Sequence, residues 1–134
     1  MTRPVEAGSA VATLRDVMNT AVVTTAPQTP LAQAAAAMVA AGVGSAVVMQ
    51  GSFLAGIVTE RDVLRAAASG EDLRDSAVAD WMTADPQSAS PDSSPEEAAQ
   101  IMLLNGFRHL PVVDGRDVCG VVTLRDLFAA RIRR

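Results

Sequence analysis

The chain is short of the residues that usually mark chemistry. Its 134 residues include one cysteine, one histidine and no tyrosine. The single cysteine, Cys119, excludes an internal disulfide and suits a reducing compartment, so a cytoplasmic location is expected. A lone histidine, His109, with no Cys/His cluster around it leaves no basis for a metal site. Aromatic residues make up 3% of the chain against an apolar content of 49%, so the core must be built from Ala, Val, Leu and Met. Long apolar runs are missing too. The longest, Ala34 to Ala41, is far too short to span a bilayer, and Met1 to Ala12 carries no signal-like stretch. Positive charge is in the minority, with a net charge of −4, which argues against general nucleic-acid binding. The basic end, Arg131 to Arg134, reads as a partner for the negative end of a terminal helix. No phosphate loop, dinucleotide fingerprint or nucleophile elbow is present, so an enzyme is not expected.

What the chain does have is itself, twice. Pro27, Gly42, Gly51, Gly56, Thr59, Arg61 and Asp62 recur as Pro91, Gly106, Gly115, Gly120, Thr123, Arg125 and Asp126, always 64 residues later. A constant offset without gaps means one supersecondary unit built twice. Each copy is too small to be a comfortable independent fold, so the two are expected to share a core. The division expected is a leader over 1–12, a first repeat over 13–68, a connector over 69–77 and a second repeat over 78–134.

Within each repeat the elements follow from local chemistry. Leu14 to Met18 and Val78 to Met82 read as short helical turns that bury a Met, with Trp81 as a packing residue beside Met82. Val22 to Thr25 is β-branched and reads as a strand, with a weaker counterpart near Pro86 to Ala89. Thr29-Pro30 suggests an N-cap, and Leu31, Ala34, Ala35 and Met38 then share one helical face up to the stop at Gly42. Ser93, Ser94, Pro95, Glu96 and Glu97 supply capping-box chemistry for the second copy, in which Ala98, Ile101, Met102 and Asn105 lead to Gly106. Hairpins follow at Ala46–Met49 with Leu54–Val58, and at Leu110–Val113 with Val118–Val122, where Cys119 reads as a small buried hydrophobe. Final helices start at Thr59 and Thr123. Each repeat is therefore β-α-β-β-α, an α+β fold.

The segments Gly56-Ile57-Val58-Thr59-Glu60-Arg61-Asp62 and Gly120-Val121-Val122-Thr123-Leu124-Arg125-Asp126 carry the most information. Taken alone, Thr-x-x-Asp where a strand meets a helix is a capping box, which contributes about 1 kcal/mol and needs no ligand.

The ordered set of features over both repeats, roughly Leu14 to Ile132, resembles the cystathionine beta-synthase (CBS) domain in its tandem form, often called a Bateman module. The resemblance is carried by the segments ending in Met, the Pro-containing strand exit, the capped helix, Leu110-Pro111-Val112-Val113-Asp114 and the terminal Thr-x-x-Asp. The resemblance implies two repeats related by pseudo-twofold symmetry and packed through their sheets, with two related clefts. It implies a regulatory, adenosine-containing ligand of the AMP, ADP or ATP class. Asp62 and Asp126 would bind ribose hydroxyls, and Thr59 and Thr123 at helix N-termini would favour phosphate. Adenine would lie among Val23, Thr25, Val47 and Ile57 and their second-half counterparts. A homodimer and a separate regulated protein are the implied partners.

The copies differ where Arg108 and His109 replace Gly44 and Ser45, and where Pro111 replaces Val47. The resemblance implies that basic residues at the first two places reach a phosphate, Arg108 above all because its guanidinium is always charged; a solvated surface arginine is the plain alternative. His109 reads as structural or phosphate-adjacent. Arg61 and Arg125 are expected to be exposed. The competing account is a ligand-free structural or dimerisation module whose Thr-x-x-Asp motifs are only helix caps. An enzyme acting on nucleotides is the weakest of the three.

Overall fold

The computed structural model describes residues 13–132, with side chains described through Ala129. The leader and Arg133–Arg134 lie outside that description, as do the side chains of the expected basic end from Arg131 on. Ten elements follow in chain order: β1 Thr24–Thr25, α1 Leu31–Ala41, β2 Ser45–Gln50, β3 Phe53–Thr59, α2 Glu60–Ala68, β4 Thr83–Ala84, α3 Pro95–Asn105, β5 His109–Asp114, β6 Asp117–Thr123 and α4 Leu124–Ile132. Single 3-10 turns stand at Leu14–Asp16 and Val78–Asp80.

The described residues fold as two compact units, one over 21–86 and the other formed by 13–20 with 87–132. In the first, the strand order is β1-β2-β3-β4, with β1 parallel to β2 and the other pairs antiparallel. In the second, β5 and β6 form the hairpin, and the outer strands shrink to single bridges, Ala89 with Val112 and Asn19 with Val121. These bridges stand 64 residues from Thr25–Val48 and Thr83–Ile57, so the two units share one plan. Both hairpins also slip register at the same place, between Val48 and Met49 and between Val112 and Val113.

The compact units do not coincide with the linear repeats. Leu14, at the head of the first repeat, is fully buried in the core built by Ala98, Met102, Leu110, Val112 and Val122. Val78, at the head of the second, is fully buried among Leu31, Ala34, Met38, Val48 and Val58. Reciprocal hydrogen bonds fix this exchange. Leu14 N–H donates to the Ser93 carbonyl and Arg15 N–H to Pro91, at 2.9 and 3.0 Å; Val78 N–H donates to Thr29 and Ala79 N–H to Pro27, at 2.9 and 2.8 Å. Each α/β body is thus completed by the leading segment of the other repeat.

Helix ends show where the sequence reading holds and where it fails. Ser94 caps α3 in a capping box with Glu97, behind Pro95, and Gly106 closes it at φ 73°. At α1 the expected Thr29 cap does not form. Pro30 stays extended at ψ 137° and itself takes the cap position, so no side-chain oxygen is in place. Backbone carbonyls of the connector substitute: Leu31 N–H donates to Ser76 at 2.8 Å and Ala32 N–H to Leu73 at 2.9 Å. The expected strand Val22–Thr25 shortens to Thr24–Thr25. Cys119 is half-buried rather than fully buried, and its thiol donates to the Val112 carbonyl at 3.4 Å.

Candidate functional site

The two Thr-x-Arg-Asp corners are each built where a hairpin strand runs into a helix. At the first, Thr59 ends β3 in extended conformation and α2 begins. Asp62 N–H donates to Thr59 Oγ1 at 3.4 Å, and the Asp62 Oδ2 accepts the Thr59 N–H at 2.8 Å and its hydroxyl at 3.1 Å. At the second, Asp126 N–H donates to Thr123 Oγ1 and Thr123 N–H donates to Asp126 Oδ2, both at 3.0 Å. Both motifs are therefore complete capping boxes.

The other carboxylate oxygen separates them. Asp62 Oδ1 accepts a hydrogen bond from the Arg65 guanidinium at 2.8 Å, and the residue is only 8% exposed. Arg65 also lies over the Trp81 ring, 5.5 Å from its centroid. At the matching places the second corner has Ala129 and Val17. Asp126 is half-buried, and its Oδ1 has no partner among the described residues. The offset that reveals the repeat could have exposed this contrast; aligning only identical positions hides it.

The backbone of Arg108 and His109 runs beside the second corner. The Leu124 N–H, at the start of α4, donates to the Arg108 carbonyl at 3.2 Å, and His109 pairs with Thr123 across the hairpin. Arg108 is exposed. At the first corner Glu60 N–H donates to the Gly44 carbonyl at 2.9 Å and Ser45 pairs with Thr59, so these two positions supply no charge there. Arg61 and Arg125 are exposed.

The four residues expected around adenine do not all share a face. Val47 and Ile57 pair directly across the hairpin and are buried. Val23 packs instead against the helix-side core that holds Ala46, Val48 and Val58. Thr25 pairs with Val48, and its buried hydroxyl finds no partner among the described residues. Among those residues there is no group of three His, Cys, Asp or Glu side chains placed to hold a metal ion. None of their helices is long and apolar enough to cross a membrane.

Comparison with known proteins gives the class. The family model of the CBS domain matches the chain twice, at 14–69 and 78–133. The chain belongs to the CBS-domain family, as a tandem pair. It is 41% identical over 106 residues to an uncharacterised 17.7 kDa protein of Acidianus ambivalens, covering 78% of this chain and 63% of that protein. It is 36% identical over 115 residues to the CBS domain-containing protein YhcV of Bacillus subtilis, covering 85% of this chain and 81% of that protein. A similar fold is that of the CBS domain pair of protein MJ0100, solved with 5′-methylthioadenosine and S-adenosyl-L-methionine: TM-score 0.83, 22% identity, 92% of this chain and 98% of that one. At that identity the likeness concerns the fold.

Proposed function

We propose that the chain is a regulatory module that binds an adenosine-containing ligand of the AMP, ADP or ATP class and reports it through conformation or partner affinity. The observation that carries the reading is the second corner. Asp126 spends one carboxylate oxygen on the helix cap, and the other, which has no partner among the described residues, suits a ribose diol. Beside it stand the N-terminus of α4, the Thr123 hydroxyl and the exposed Arg108, a set suited to phosphate. A CBS pair of the same fold holds adenosine compounds, which agrees with this choice of ligand. We assign the module no catalytic step. A ligand shifts such a module only through unequal affinity for its two states.

The second reading is a structural module. It is favoured by the first corner, where both Asp62 carboxylate oxygens already accept hydrogen bonds from protein groups. Thermal unfolding with AMP, ADP, ATP and S-adenosylmethionine separates the two. At a hundredfold excess over Kd, a ligand stabilises by about 2.7 kcal/mol, worth roughly 5–10 °C in a domain of this size. Asp126→Ala removes that shift on the sensing account. On the structural account wild type shows no shift, and the variant loses only the cap. We further propose a homodimer, because Val39 on α1 and Leu103 and Leu104 on α3 are left 81%, 70% and 85% exposed.

A further inference from the structure

We infer that Arg65 sets the ranking of the two corners: by occupying the Asp62 carboxylate it disfavours ribose binding there and leaves Asp126 as the preferred site. The inference rests on the reading above, that these carboxylates receive ribose hydroxyls. Its basis is the contrast between two otherwise matching caps. In both, Oδ2 is committed to the Thr N–H. Recognition of a diol then depends on Oδ1, and at Asp62 that atom is held by a charge-assisted hydrogen bond of 2.8 Å.

Arg65 does not meet Asp62 by chance of a loose side chain. It is one helical turn further along α2, the spacing at which side chains share a face. Its guanidinium also lies over Trp81, and a planar cation can pair with a carboxylate at its edge while stacking on a ring. A hydroxyl approaching Asp62 Oδ1 therefore competes with a cation that has two partners. At the second corner the same places hold Ala129 and Val17, which offer neither the charge nor the ring. Arg108, absent from the first corner, meets the second through its backbone, its carbonyl accepting the Leu124 N–H.

The Arg65 side chain is 57% exposed, so solvent screens the pair and its competition with ligand is worth about fivefold in affinity. The sign is diagnostic. An arginine that contacts a phosphorylated ligand weakens binding when removed; one that masks the receiving carboxylate strengthens it.

The test is calorimetric titration of AMP, ADP, ATP and S-adenosylmethionine into wild type, Asp126→Ala, and Asp126→Ala combined with Arg65→Ala. Arg65→Met, which keeps the aliphatic stem on Trp81, is a second version of the last change, and Asp126→Asn replaces the alanine variant if that fails to fold. The expected result is binding by wild type, weaker binding once Asp126 is changed, and recovery of about fivefold when Arg65 is also removed. Adding Asp62→Ala to that double variant abolishes the recovery. Unchanged or weaker binding on removal of Arg65, or loss of the tighter site through Asp62→Ala alone, overturns the inference while wild-type binding upholds the proposed function. If wild type binds none of the four compounds, the proposed function falls and this inference with it.

Discussion

Met82 fills the space over Gly56: a methyl group added to that glycine would lie 2.6 Å from the Met82 sulfur and 2.8 Å from the Thr83 carbonyl. Met18 stands in the same relation to Gly120, at 2.7 Å from the sulfur and 3.1 Å from the Asn19 carbonyl. The glycine of each Gly-x-x-Thr-x-Arg-Asp segment is thus the seat of a leading segment.

Gly56→Ala is therefore expected to destabilise by about 1–3 kcal/mol, since the added methyl meets backbone as well as a side chain. Gly120→Ala costs less, because the flexible Met18 side chain can move and the carbonyl is further off. Urea unfolding of both variants checks the order. Met82→Ala combined with Gly56→Ala recovers part of the loss.

The exchange of leading segments has its own signature. Leu14→Ala removes a fully buried side chain and should cost about 2–5 kcal/mol. Hydrogen exchange in this variant is expected to rise in α3, β5 and β6, although Leu14 belongs in sequence to the first repeat. Selective loosening of β2 and β3 instead would contradict the exchange.

Capping gives a paired comparison. Ser94→Ala removes a cap and is expected to cost about 1 kcal/mol. Thr29→Ala, at the corresponding turn of the first repeat, should stay within about 0.5 kcal/mol, because α1 is capped by the carbonyls of Ser76 and Leu73. Thermal melts of the two variants are sufficient.

For assembly, light scattering is expected to return twice the chain mass of 13.9 kDa. Leu104→Glu, on an 85% exposed position of α3, should shift the protein toward the monomer. A monomeric wild type contradicts the proposal.

Much of this architecture is written in local chemistry. Gly51 and Gly115 at φ 63° and 64° turn the hairpins, Ser94 and Glu97 cap α3, and the Thr-x-x-Asp pairs cap α2 and α4. Thr29 misled because a Thr-Pro pair has two registers at a helix start, and only the long-range reach of Ser76 decides between them. The outer strand β4 and the bridge at Asn19 carried no signal, being one or two residues long and held by partners far along the chain. The exchange of leading segments is invisible for the same reason: Leu14 and Val78 are both plain apolar residues, and nothing local says which core each one enters. At the site, the motif pointed to Asp62 and Asp126 as equals. Their difference lies in Arg65 and Trp81, outside the motif, and appears only where the repeat fails to repeat.

The most direct measurement is a crystal structure grown with a saturating adenosine compound from the panel above. The account predicts its ribose hydroxyls on the Asp126 carboxylate, with any phosphate toward Thr123 and Arg108. A ligand bound away from Asp126, or none bound at saturation while both caps stay intact, would contradict it.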